Sequence, residues 1–191
     1  MEKKIDFYFD VVSPYSYFAS KLIGEVVKKH NAILNWKPVL LGGIFKAIGS
    51  PIAPGLVPEK KPYLIKDLER LSNYYEIDFK MPSEFPIRSL LAMRVLSGLK
   101  VDNIHFYSQK IFEAYWKDNK NIADTEVLSE LINPESVEKA NMQEIKDKLF
   151  KNTEAAIKRG IFGAPTFFVG DEMFFGHDRI YLLDNYLQTK F

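Results

Sequence analysis

The sequence predicts an α/β fold in which a β-α-β unit opens a small sheet, a hairpin and a helix complete it, and a block of helices is inserted between the two halves. Three observations carry this expectation. Residues Lys4 to Val11 alternate Ile5, Phe7, Phe9 and Val11 against Asp6, Tyr8 and Asp10, and run straight into an amphipathic helix. Four segments of helical period follow one another in the middle of the chain. Near the end, two short apolar runs flank Gly170-Asp171 and lead into a last helix.

Taken in order, the alternation over Lys4–Val11 is the period of a strand with one face more apolar than the other. Ser13-Pro14 reads as an N-cap followed by proline at the first helical position, and Tyr17, Phe18, Leu22 and Val26 recur at helical spacing toward His30. Ile33 to Leu41 reads as a second, well buried strand. From Gly42 to Pro62 four glycines and four prolines crowd the chain, which predicts a mobile loop around one short helix. Helical periodicity returns at Tyr63–Tyr75, Ile87–Leu99, Asn103–Lys117 and Asp124–Ile132, then over Asn141–Arg159, where Gly160 stops it. Thr166–Val169 and Met173–Phe175 are short strands, and Asp178–Thr189 is the last helix. This is the thioredoxin order with helices inserted. It divides the chain into a discontinuous thioredoxin-like domain, 1–42 with 139–191, around an inserted helical domain, 43–138.

Composition narrows the function. The 191 residues are 47% hydrophobic and 14% aromatic, enough to bury a sizeable core. Twenty-six basic against 25 acidic residues give a net charge of +1, with no field to draw in a polyanion, so nucleic acid is not an expected partner. The absence of cysteine removes disulfides, thiolate metal sites, cysteine nucleophiles and redox cycling on the chain's own sulfurs. The opening MEKKIDFYFD fits no secretion signal, and no apolar run approaches the roughly 18 residues of a membrane span, so a cytoplasmic protein without membrane partners is expected.

Two stretches carry candidate chemistry. At Asp10-Val11-Val12-Ser13-Pro14-Tyr15-Ser16 a strand hands over to a helix, which places a hydroxyl among free N–H groups at the positive end of a helix dipole, where an anion is favoured. A plain helix cap is the simpler reading of Ser13 alone. In Gly160-Ile161-Phe162-Gly163-Ala164-Pro165-Thr166, a proline opens an apolar strand, and a cis bond there would turn the chain sharply and expose the backbone groups of Ala164.

With these residues in place the chain resembles the DsbA-like branch of the thioredoxin superfamily, and within it the 2-hydroxychromene-2-carboxylate isomerases and kappa-class glutathione transferases. The markers are Phe7-Tyr8-Phe9-Asp10 leading to Ser13-Pro14-Tyr15-Ser16, Leu41-Gly42-Gly43 with Gly49, Asp67-Leu68, Phe162-Gly163-Ala164-Pro165-Thr166 and Phe175-Gly176-His177-Asp178-Arg179. Disulfide oxidoreductases of this fold carry C-x-x-C where Ser13-Pro14-Tyr15-Ser16 lies. The resemblance implies glutathione as cofactor, with Ser13 as the catalytic residue holding its sulfur as thiolate. It implies that Ala164 and Pro165 present backbone to the cysteinyl part as an added strand would. It further implies that His177 and Asp178 meet the γ-glutamyl end, Lys60 the glycyl carboxylate, and Ser50 the place where relatives often have asparagine after glycine. Arg88 or Lys46 would pair with a substrate carboxylate. The family usually has Ser or Asn where His177 stands, and the isomerases often an Asn-Ser pair where Pro86-Ile87 stands.

The implied function is a glutathione-dependent isomerase acting on an unsaturated aromatic keto acid, with a kappa-like transferase and a non-enzymatic binding module as alternatives. The resemblance also implies a homodimer. His30, His105 and His177 are scattered without metal-ligand spacing, so no metal is expected. A Ser13, His177, Asp178 hydrolase triad is disfavoured, because adjacent His177 and Asp178 could hardly orient one another and no G-x-S-x-G elbow occurs.

Overall fold

The computed structural model describes residues 2–50 and 57–190. Its elements run β1 (Lys4–Phe9), α1 (Pro14–His30), β2 (Ile33–Pro38), α2 (Leu41–Ala47), α3 (Lys61–Tyr75), α4 (Leu90–Gly98), α5 (Val101–Trp116), α6 (Thr125–Leu131), α7 (Pro134–Lys139), α8 (Gln143–Lys158), β3 (Thr166–Val169), β4 (Glu172–Phe175), a 3-10 turn (His177–Arg179) and α9 (Ile180–Lys190). The sheet order is β2-β1-β3-β4, with β1 parallel to β2 and antiparallel to β3, and β3 antiparallel to β4.

Register puts an aromatic residue from every strand in one row. Phe7 lies opposite Trp36 and Phe167, and Phe167 opposite Phe174. The Phe7 and Phe167 rings stack at 4.8 Å, and Phe7 meets Trp36 edge-on at 4.9 Å, contacts that add to simple area burial. This face joins α1, α4, α5 and α9 in the main core, while Tyr8 and Phe168, on the other face, pack with Ile44 of α2 and Ala156 of α8. β1 is therefore covered on both sides, and Tyr8 is buried although its alternation with Phe7 and Phe9 suggests a wetter face. Arg159, just past α8, fastens that second face. Its guanidinium reaches Asp6 Oδ2 at 2.9 Å, the Tyr8 hydroxyl at 2.9 Å and the Gly170 carbonyl at 2.7 Å, and lies 3.8 Å from the Phe168 ring centroid.

Two elements differ from expectation. β2 stops at Pro38, which has no N–H for the ladder; Val39 N–H makes a last bond to the Phe9 carbonyl, and Leu41 N–H turns to the Asp10 carboxylate at 2.9 Å. Leu41 thus opens α2, and Gly42 and Gly43 lie inside that helix rather than in a loop. A side chain at Gly43 would come within 3.3 Å of Thr153, so the glycine lets α2 approach α8. Residues 51–56 of the expected loop lie outside the described residues. α7 is additional to the expected helices: Asn133 caps it by accepting from Ser136 N–H at 2.8 Å, and Pro134 takes its first position.

Candidate active site

Ser13 stands where β1 gives way to α1, 5% exposed. It caps the helix, because its Oγ accepts from Ser16 N–H at 3.1 Å. The same hydroxyl donates its one proton to the Ala164 carbonyl at 3.0 Å, which ties the helix entrance to the loop before β3. No acidic residue occupies the first turn of this 17-residue helix, although Asp67 and Asp178 act electrostatically on Tyr15 in that turn. The Ser16 hydroxyl, in the same turn, is buried and has no hydrogen-bond partner among the described residues.

The Ala164–Pro165 peptide is cis. The Pro165 carbonyl accepts from Gly176 N–H at 3.0 Å, and this bond brings the 177–179 turn up to the loop. Gly176 has φ +104°, a backbone conformation that requires glycine, whereas the Asp178 carboxylate that a side chain there would meet is exposed and can turn aside. His177 follows, 9% exposed, its ring stacked on Tyr15 at 5.1 Å and 10° between planes, with Phe18 and Tyr75 near by. Burial pulls its pKa down and favours neutral imidazole. Asp178 is exposed and pairs with Arg179 at 2.6 Å.

The junction ahead of Ser13 is held from the helical block. Trp116 Nε1 of α5 donates to the Val11 carbonyl at 2.9 Å, Val11 N–H meets the Met93 sulfur of α4 at 3.4 Å, and the Ser89 hydroxyl donates to Asp10 Oδ2 at 3.1 Å. Asp10 is wholly buried, and its carboxylate also accepts from Val12 N–H at 3.1 Å and from Leu41 N–H. Loss of solvent pushes its pKa up to about 6, against the lowering influence of those three bonds.

The structure thus gathers Ser13, Ala164, Pro165, His177 and Asp178 at one place. It brings α3 beside them, through packing of Leu64 and Leu68 on Phe18 and Tyr15, with Lys60 exposed at the helix entrance. Ser50 lies just after α2, its N–H bonded to the Phe45 carbonyl at 2.9 Å. Lys46 lines a cavity between α2, α4 and α8, and Arg88 is exposed just ahead of α4. Sequence reasoning named Asp10 and Tyr15 only as family markers, without a role, and passed over Tyr75 and Ser89. Only Asp10, an ionisable residue in an otherwise apolar strand end, carried a signal that could have flagged it.

Comparison with known proteins places these residues in a family. The model of the DSBA-like thioredoxin domain matches residues 4–188. This chain belongs to the DsbA-like thioredoxin family. A 2-hydroxychromene-2-carboxylate isomerase of Pseudomonas sp. (strain C18) is 31% identical to it, over 95% of this chain and 88% of that protein. Human glutathione S-transferase kappa 1 is 29% identical over 100% of this chain and 93% of its own length. The solved structure of a 2-hydroxychromene-2-carboxylate isomerase superposes with a TM-score of 0.86 at 26% identity, covering 97% and 94% of the two chains. These relatives of the DsbA-like chain are named as isomerases and as a glutathione transferase.

Within this DsbA-like frame the remaining histidines have structural settings. His30 meets Asp184 at 2.6 Å at the end of α1, and His105 stacks on Trp36 with its pKa lowered by burial. The partners of Ser13 Oγ are the Ala164 carbonyl and Ser16 N–H, and no imidazole is among them, as a Ser-His hydrolase pair would require.

Proposed function

We propose that this protein is a glutathione-dependent isomerase of the 2-hydroxychromene-2-carboxylate isomerase type. The observation that carries the reading is the Ser13 hydroxyl, nearly buried at the positive end of α1 and bonded to the carbonyl that precedes cis Pro165.

The residues present fit a thiol-bearing peptide. Ala164 N–H has no partner among the described residues, and the Ala164 carbonyl is released once the Ser13 proton turns away from it, which leaves one donor and one acceptor at a free backbone edge. The turned hydroxyl then donates to an anion at the helix end, while Ser16 N–H still caps onto Ser13 Oγ. When bound, glutathione supplies a sulfur nucleophile that adds reversibly to an electrophilic carbon of an unsaturated aromatic keto acid, making a double bond single long enough to rotate. Ser13 keeps that sulfur ionised. His177 and Asp178 receive the γ-glutamyl end, Lys60 the glycyl carboxylate, and Ser50 lies on the same peptide's path. In this reading Arg88 holds the acid, because Lys46, the other candidate, lines a separate cavity. The reading includes a homodimer in the cytoplasm.

A kappa-type transferase is the second reading, favoured by the full-length similarity to the human enzyme. Product analysis decides: with glutathione and an unsaturated aromatic keto acid, the isomerase returns the acid with changed double-bond geometry and free glutathione, whereas a transferase yields a thioether heavier by the tripeptide. A protein that takes up no glutathione in calorimetry and turns over neither class of electrophile defeats both.

A further inference from the structure

A cavity of about 560 Å³ is walled by α2, α4 and α8. That is within the range of small-molecule pockets, roughly 300–1,000 Å³. None of Ser13, Ala164, Pro165, His177 or Asp178 lines it. We propose that this cavity is a second binding site, for an amphipathic monocarboxylate: one anionic group on an aliphatic or aromatic body.

The interior is apolar, with Leu40, Leu149 and Ile157 in its lining. Two further apolar side chains in that lining face water, Leu90 at 37% and Phe150 at 61% exposure. An apolar ligand body would cover both, and the gain is about 25 cal/mol for each Å² removed from water. The polar lining is nearly all of one sign. Each wall contributes one cation, Lys46 from α2, Arg94 from α4 and Lys146 from α8, and none of the three has an ion-pair partner among the described residues. Glu154 is the single acid of the lining, which leaves an excess of two positive charges.

The other polar group makes no demand on a ligand. The Thr153 hydroxyl donates to the Leu149 carbonyl at 2.9 Å and accepts from Leu40 N–H at 3.1 Å. The Gly43 contact with Thr153 fixes the spacing of α2 and α8. The anion preferred is a carboxylate on an apolar body rather than a phosphate. Lys46, Arg94 and Lys146 each lie within the run of a helix, at least three residues past its start, so the charges the cavity offers are long cationic side chains over apolar walls.

The test is a titration of the full chain with decanoate and, separately, decanol, followed by amide chemical shifts, with glutathione uptake measured by calorimetry alongside. Saturable decanoate binding is expected, with shifts confined to α2, α4 and α8 and decanol at least about tenfold weaker. Arg94→Glu and Lys146→Glu should each weaken decanoate by about tenfold or more while glutathione uptake stays at the level of the parent chain. Lys146→Arg, which keeps the charge, should bind decanoate as the parent does and so separates charge from folding. Equal binding of decanol, shifts centred on Ser13 and His177, or full decanoate binding by Lys146→Glu would each overturn the proposal. Because glutathione uptake is read separately, a chain that binds decanoate but no glutathione refutes the isomerase reading and leaves this site standing.

Discussion

The Tyr15 ring lies flat against the His177 imidazole, centroids 5.1 Å apart, and so couples the first turn of α1 to the turn that precedes α9. Burial among Tyr15, Phe18 and Tyr75 lowers the His177 pKa from 6.5. A depressed histidine takes its proton in the unfolded chain first. Its contribution to stability is therefore complete above about pH 6.5 and is lost as pH falls toward the folded value. Thermal unfolding of the parent and of His177→Asn, compared from pH 7 to pH 5, should show the parent losing stability relative to the variant. An unchanged slope in that variant would mean that the ring is not held neutral.

Asp10 acts with the opposite sign. Its pKa, raised from 3.8 to about 6, means that the folded chain binds this proton more tightly. The associated stability is present below about pH 3.8 and disappears as pH rises through 6, with a span of about 3 kcal/mol from a shift of this size. In His177→Asn, where the histidine effect is gone, stability should rise as pH falls from 7 toward 5.

The carboxyl at Asp10 can keep all three partners in either state. When protonated on Oδ2 it still accepts from Leu41 N–H and gives its proton to the Ser89 oxygen, while Oδ1 keeps Val12 N–H. Asparagine cannot do this, since its amide nitrogen must face one of the two backbone N–H groups. Asp10→Asn should thus destabilise by about 1–3 kcal/mol although it removes a buried charge, a result that chemical denaturation would check. A neutral or stabilising outcome would show that desolvation of the carboxylate outweighs its bonds.

How far the sequence foretells this molecule depends on whether a signal is local. Ser13-Pro14 specifies a helix start from its own neighbours, and the apolar runs around Gly170-Asp171 specify a hairpin; both stand where expected. Asn133-Pro134 is as local a start, and α7 could have been read from it. The end of β2 could not, because Leu40 and Leu41 look like strand residues until the Asp10 carboxylate, 31 positions away, captures Leu41 N–H. The same holds at the site. Ser13 and Ala164 were each recognisable, but their bond spans 151 residues, and the grip of Met93 and Trp116 on Val11 arises only when the helical block docks. His177 was legible as a motif position, whereas its aromatic enclosure depends on α1 and α3 converging.

Arg159 offers a test of the sheet's second face. Its fork serves Asp6, Tyr8 and Gly170 at once and lies over Phe168, an arrangement that needs a planar guanidinium. The side chain is 30% exposed, which screens part of the charge interaction. Arg159→Ala should cost about 1–3 kcal/mol in denaturant unfolding, and Arg159→Lys should recover less than half of it. Full recovery by lysine would reduce the role of this residue to a charge near Asp6.

Ser13→Ala separates the structural and chemical duties of one hydroxyl. Structurally it removes the cap on Ser16 N–H and the bond to the Ala164 carbonyl, so a stability loss of about 1–2 kcal/mol is expected. On the proposed reading it also removes the donor to the glutathione sulfur, while the helix dipole and the Ala164 backbone edge remain. Glutathione uptake should therefore fall only a fewfold, whereas turnover of an unsaturated aromatic keto acid at saturating glutathione should fall about a hundredfold or more, the cost of deleting one preorganised donor to a reacting anion. The ultraviolet absorbance of bound thiolate, titrated against pH in parent and variant, distinguishes the two duties, since a lost cap leaves the thiol's ionisation alone and a lost donor moves it to higher pH. Full turnover by Ser13→Ala, with an unshifted titration, would leave this hydroxyl as a helix cap and nothing more.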